Sequence, residues 1–205
     1  AWAEYEGKVR LALDDLNVWG NAQRQTARQA GINLTREPSE GSVSLLEGLW
    51  QRTPVEQLPE NQRPVAQALY AALDAEEASM VARDTNFSNR LLADYFPHLF
   101  KPRPSGAKTT RAPRRKPFFT KERQLQGPLG EVLSERSDLE LFTYDPVEMV
   151  QRRILAGVQY RAGLDAVDRL KSAGAVMRRS QAPADWVPLR NAPPALQTHP
   201  FATTS

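Results

Sequence analysis

Cysteine is absent from this chain of 205 residues. That removes disulfides, thiolate nucleophiles and cysteine metal ligands together. Histidine is nearly absent, with only His98 and His199, which leaves little material for a metal site or a general base near neutral pH. Long apolar runs are missing too, and none approaches the roughly 18 to 20 residues that a membrane-crossing helix needs. Phosphate-cradling loops of the G-x-x-x-x-G-K-[ST] or G-x-G-x-x-G type do not occur, and neither does the G-x-S-x-G turn of serine hydrolases. No basic-then-apolar leader opens the chain. Helical spacing is already under way at Ala1, and the chain reads as a piece of a longer polypeptide, with a trimmed mature start as the alternative.

Proline is plentiful, and charge is unevenly placed. Sixteen prolines cut the chain into short helices with rigid connections. The net charge is +3, but it has one source. Between residues 101 and 123, nine basic residues (Lys101, Arg103, Lys108, Arg111, Arg114, Arg115, Lys116, Lys121 and Arg123) meet a single acid, Glu122. That segment carries +8, which leaves −5 on the rest of the chain. Directly before it lies an aromatic knot, Tyr95-Phe96-Pro97-His98-Leu99-Phe100. Rings seek burial in a core or a partner's groove, while a dense positive run seeks anions.

Trp2, Tyr5, Val9, Ala12, Leu16 and Trp19 step by threes and fours, the spacing of one helical stripe. A helix is predicted over about residues 2 to 30, loosened near Gly20 and closed by Gly31. Residues 32 to 42 read as loop and Val43 to Trp50 as a short helix that ends before Pro54. Pro59 and Pro64 bracket a turn. Val65, Leu69, Ala72 or Leu73, Glu76 and Met80 then carry helical spacing to about Arg83, and Asn86 is placed to cap a brief helix through Ala93. Leu125, Leu129, Val132 and Leu133 resume apolar character after the basic run. Asp145-Pro146-Val147-Glu148 is a strong helix start. Asp145 can accept first-turn N–H bonds, Pro146 loses no bond at the first helical position, and Glu148 is placed to complete a capping box. Val150, Ile154, Val158 and Leu164 or Arg161 extend that helix to about Ala173, with Gly174 as its stop. AVMRRSQAPADWVPL reads as two extended pieces forming a small hairpin, and residues 191 to 205 as an extended tail.

The fold class that results is mainly α. It comprises an irregular bundle of short helices, one long C-terminal helix, a small β-hairpin near the C-terminus and an extended basic strap in the middle. The boundaries fall at residues 1–100, 101–123, 124–190 and 191–205.

Chemistry finds little support. Asp94 and His98 lie four apart, the spacing of a helical dyad or of two metal ligands, but Pro97 between them argues against a regular helix and no third ligand is suggested. A His satisfied within a packed turn is the preferred reading, and His199 reads as exposed. The acid pairs Asp14-Asp15 and Glu76-Glu77 diverge by about 100° on a helix, so they read as solvated faces. The aromatics, including Trp2, Trp19, Trp50, Phe118 and Phe119, read as core or subunit interface. The basic run has three readings. It is a solvated linker or strap, a grip on nucleic-acid phosphates, or a ligand for an acidic protein surface, including the chain's own −5 remainder.

The stretch NRLLADYFPHLFKP resembles a pattern of very large multidomain proteins of bacteriophages and related mobile elements. There a helical stretch ends in a Tyr-Phe/Val-Pro-His/Arg-hydrophobic-aromatic-Lys sequence. The downstream order is also similar: KPFFTKER, a short helix with Gly, DPVEMVQRRI leading to LKSAG, then APADWVPL. The resemblance covers about Asn89 to Leu189, whereas residues 1 to 88, with their Pro-bounded short helices, depart from it. It implies a non-enzymatic helical connector in a particle-associated or genome-ejection protein. Its partners would be other particle subunits and, through the strap, DNA. Its place would be the phage particle or, after delivery, the bacterial host cell. The expected interface residues are the nine basic ones for an anionic partner, with Tyr95, Phe96, His98, Phe100, Phe118 and Phe119 as anchors. No catalytic residue, metal or cofactor is implied.

Overall fold

The stripe at the start of the chain becomes a single helix. In the computed structural model, which describes residues 1–84, 96–97, 128–135, 140–178, 187–188 and 201–203, α1 spans Trp2–Gln29. Tyr5, Val9, Ala12, Leu16 and Trp19 are partly buried, as the spacing predicts. Trp2 departs from that set and stands 42% exposed, its ring edge-on to Tyr5 at 5.6 Å between centroids. The expected loosening at Gly20 is not seen. Gly20 is buried, and a Cβ there would lie 2.2 Å from the side-chain nitrogen of Gln151. The missing side chain is what lets the Gln151 amide reach the helix backbone and donate to the Leu16 carbonyl at 2.6 Å.

The described residues are mainly helical. After α1 come α2 (Glu40–Trp50), two short 3-10 turns (Val55–Gln57 and Glu60–Gln62), α3 (Arg63–Arg83), α4 (Leu129–Glu135) and α5 (Pro146–Ser172). Helix α2 starts three residues earlier than the sequence suggests. Ser39 and Ser42 form a reciprocal capping box, a Ser-x-x-Ser variant of the usual Ser-x-x-Glu pattern. Burial on α3 follows the predicted positions Val65, Leu69, Leu73, Glu76 and Met80. On α5 the predicted stripe is out of phase. Of its members only Val150 is buried, and burial runs instead through Val147, Met149, Arg153, Gly157, Ala162, Gly163, Ala166 and Val167. Glycine and alanine mark this inner face, and a count of large apolar side chains cannot see them.

The chain divides into two compact units. One comprises Ala1–Asp15, Ala112–Lys121 and Leu155–Ser205. Within it, Lys8 bonds Asp165 at 2.9 Å and Arg169 pairs with Glu4, so the two helical segments are tied along exposed edges. The unit also contains three short strands, β1 (Val176–Arg178), β2 (Val187–Pro188) and β3 (Phe201–Thr203). Their order is β1-β3-β2, with both pairings antiparallel. Strands β1 and β2 fall within the stretch expected to form a hairpin, but each pairs with β3 rather than with the other, and the rest of that stretch lies outside the described residues.

The other unit, Leu16–Arg111 and Glu122–Ile154, holds the main core. Trp50, Leu45, Leu46, Leu49, Val65 and Leu69 are fully buried there, with Ile32 and Leu34 from the loop before α2 and Leu129 and Val132 from α4. Phe96 of the aromatic knot joins them at 1% exposure. The brief helix expected near residues 86–93 lies outside the described residues.

Among the described residues, three helices end by one device, in which a residue at positive φ lets its own amide and the next one fold back onto the last turn. Gly31 does this for α1 (φ 76°), where Gly31 bonds Arg28 and Ile32 bonds Ala27. Gly174 does it for α5 (φ 70°), where Gly174 bonds Lys171 and Ala175 bonds Leu170. At the end of α2 the same place is taken by Arg52, the only non-glycine at positive φ (53°) among the described residues. There Arg52 bonds Leu49 and Thr53 bonds Gly48. A residue with a Cβ in this region costs about 1 kcal/mol or more. The Arg52 side chain offsets part of that cost, since its guanidinium lies 4.7 Å from the Tyr70 ring centre and 3.4 Å from Asp74. Tyr70 itself bonds the Thr53 carbonyl at 3.1 Å, and burial raises its phenol pKa against the downward pull of Arg52. Helix propensity alone ranks alanine above glycine. The reverse is expected at position 52, with Arg52→Gly more stable than Arg52→Ala by about 1 kcal/mol in urea unfolding. An alanine variant as stable as the glycine one would show that the backbone there is not held left-handed.

Candidate interaction site

Asp145 begins α5 as the sequence predicts. Its Oδ1 accepts from the Val147 amide at 2.9 Å and the Glu148 amide at 3.3 Å. Its other oxygen, Oδ2, accepts from Arg24 Nε of α1 at 2.7 Å, and Arg24 also reaches Gln151 at 3.0 Å. The carboxylate is almost wholly buried. Each of its charge-compensating contacts therefore replaces water that burial removed.

The expected capping box at this helix is not formed. The Asp145 amide donates to Thr143 Oγ1 at 3.1 Å, so the bond expected from Glu148 is already made. Glu148 turns instead to two arginines. Arg36 Nε and Nη2 donate to its two oxygens at 3.1 Å each, and Arg152 Nη2 and Nε donate to Oε1 at 2.7 and 3.1 Å. Both guanidiniums also lie over the Phe142 ring, at 5.4 Å for Arg36 and 4.6 Å for Arg152. Arg36 is fixed at its backbone as well, because its carbonyl accepts from the Tyr144 amide at 3.1 Å. Burial pushes the Glu148 carboxyl upward, but the hydrogen bonds and charges of Arg152 and Arg36 outweigh it and hold the pKa below its ordinary value.

A third helix start is satisfied from a distance. Glu47 of α2 accepts from the Leu129 amide at the beginning of α4 at 3.0 Å, a favourable place for a negative charge.

Most of the residues singled out from the sequence lie outside the described residues. These are Lys101, Arg103, Lys108, Arg111, Arg114, Arg115, Lys116, Lys121 and Arg123, together with Tyr95, His98, Phe100, Phe118 and Phe119. Asp94 and His199 do too. Phe96 is described, and it is core. Asp14 and Asp15 are exposed as expected, but Glu76 is buried at 4% exposure and is no solvated face. It sits on the inward stripe of α3 between Leu73 and Met80, so helix phase sets its burial. Among the described residues, no group of three or more His, Asp or Glu side chains is placed to hold a metal ion, and no helix is long and apolar enough to cross a membrane.

The arginine cluster has little trace in the sequence. Its one local signal is the i, i+4 spacing of Glu148 and Arg152. Arg24, Arg36 and Phe142 reach the site only through the packing of distant segments. Comparison with protein-family models, curated proteins and solved structures gives no match to this chain.

Two substitutions at Asp145 separate its roles. Asparagine keeps the helix-capping acceptor and loses the charge, and alanine loses both; either one leaves Arg24 without its counter-charge. The expected cost in urea unfolding is about 3 kcal/mol for Asp145→Ala and roughly half that for Asp145→Asn. Equal losses would mean that only the ion pair matters. At Glu148 the lowered folded pKa makes its stabilisation complete above the ordinary value of 4.5 and lost as pH falls through the folded value. A pH series of unfolding midpoints should be flatter below about pH 4.5 in Glu148→Gln than in the wild type, and unchanged steepness would remove Glu148 as a source of acid sensitivity.

Proposed function

We propose that the chain is a non-enzymatic structural and interaction segment of a larger bacteriophage protein, packaged in the particle or ejected with the genome, where it binds neighbouring subunits. The observation that carries this is the order of motifs from NRLLADYFPHLFKP through KPFFTKER and DPVEMVQRRI to APADWVPL. The local arrangement is compatible with an anchored strap. Phe96 is held in the core shortly before Lys101, where the +8 segment begins. Apolar side chains on α1 and α2 are left for partners, with Leu11, Val18 and Val43 exposed beside Trp2 and Leu13. In this reading the arginines from 101 to 123 lie along an acidic subunit surface, and the particle, or the infected bacterial cell after delivery, is where the protein acts.

A second reading rests on the charge concentration alone, with residues 101–123 gripping nucleic-acid phosphates. It predicts affinity that falls steeply with salt and is lost when Arg111, Arg114, Arg115 and Lys116 become Ala. Unchanged oligonucleotide binding in that variant removes the strap as the contact.

The structural reading is tested by limited proteolysis of the segment 101–123. Cleavage is expected in the isolated protein and protection within the assembled particle. Equal sensitivity in both states overturns it.

A further inference from the structure

One carboxylate, Glu148, is matched by one guanidinium, yet two are fixed to it. Both Arg36 and Arg152 direct Nε and Nη2 to Glu148, and the Arg36–Glu148–Arg152 trio keeps a charge of +1. The Glu148 side chain is only 13% exposed, whereas Arg36 is 65% and Arg152 47% exposed. The carboxylate thus holds the two forks from the inner side. Their remaining N–H groups have no partner among the described residues. Both guanidiniums also rest against the Phe142 ring.

An arginine on a free surface loses side-chain entropy when it binds an anion. Here the ring and the carboxylate have already imposed that order. Two like charges drawn to one oxygen also repel, and an added anion bridging their outer edges relieves the repulsion. The planar fork matches phosphate oxygens bidentately, which a lysine ammonium cannot do.

We propose that Arg36 and Arg152 form a preorganised seat for a backbone phosphate of a nucleic acid. The choice of a nucleic acid over an acidic protein rests on the planar forks, whose remaining N–H groups suit phosphate oxygens. The chain's separate +8 segment also suits a polymer of many phosphates. The seat adds a partner class to the structural reading of the chain.

The experiment is fluorescence anisotropy of a labelled oligonucleotide with the full chain over a salt series. Wild type is compared with Arg36→Gln/Arg152→Gln, which keeps aliphatic cover on Phe142, and with Arg36→Lys/Arg152→Lys. The glutamine pair should bind about tenfold more weakly, with the salt slope reduced by about one, as expected for the loss of one phosphate contact. The lysine pair should recover the slope but only part of the affinity. A thermal melt confirms that both variants are folded, and Phe142→Leu, which unstacks the forks without changing charge, should weaken binding at unchanged slope. The proposal is overturned by a wild type that does not bind, by glutamine variants with wild-type affinity, or by polyglutamate competing as well as the oligonucleotide at equal charge. None of these results bears on particle protection of residues 101–123, so the two readings fail separately.

Discussion

Asp145 answers for two separate electrostatic needs at once. The start of α5 presents amides with no helical partner, and Arg24 brings a cation out of water into the same place. Either group alone would make burial of this carboxylate costly. Together they surround it with donors, and Thr143 relieves the Asp145 amide in turn. Because that amide is satisfied, Glu148 is released from capping and is free to gather Arg36 and Arg152. The exposed arginine cluster is therefore a consequence of how the buried end of the helix is closed.

Comparable ties recur at other helix ends. Ser39 and Ser42 close α2 between themselves, while Glu47 of α2 supplies an acceptor to the first amide of α4. The Glu47 and Asp145 ties link one helix to another, and the apolar core around Trp50 and Phe96 fills the space around them.

Features with a local cause are legible in the sequence. The α1 stripe, the Asp145-Pro146 start and the glycine stops at 31 and 174 all arise from spacing or from one residue's backbone preference. Where the cause is not local, the sequence misleads. The Ser-x-x-Ser box hides because serine at its third position is a weak signal. Glu76 reads as a surface acid when its charge is weighed above its helical phase. The inner face of α5 hides behind glycine and alanine. Arg52 adopts a glycine's conformation for reasons that lie in Tyr70 and Asp74, well down the chain. The candidate site is legible only in its Glu148–Arg152 spacing, since Arg36 and Phe142 come from segments that the chain separates widely.

Gly20 carries an implication for how this sequence can drift. By helix propensity it is among the weakest residues of α1, and random variation would be expected to improve it. Any side chain there would displace the Gln151 amide, and with it the bond to Leu16 and the contact to Arg24. Gly7 and Gly130, by contrast, face open space. Over time those two positions should wander freely among helix formers. Position 20 should keep its glycine, so that one of the most helix-averse residues of α1 becomes its most faithfully inherited one.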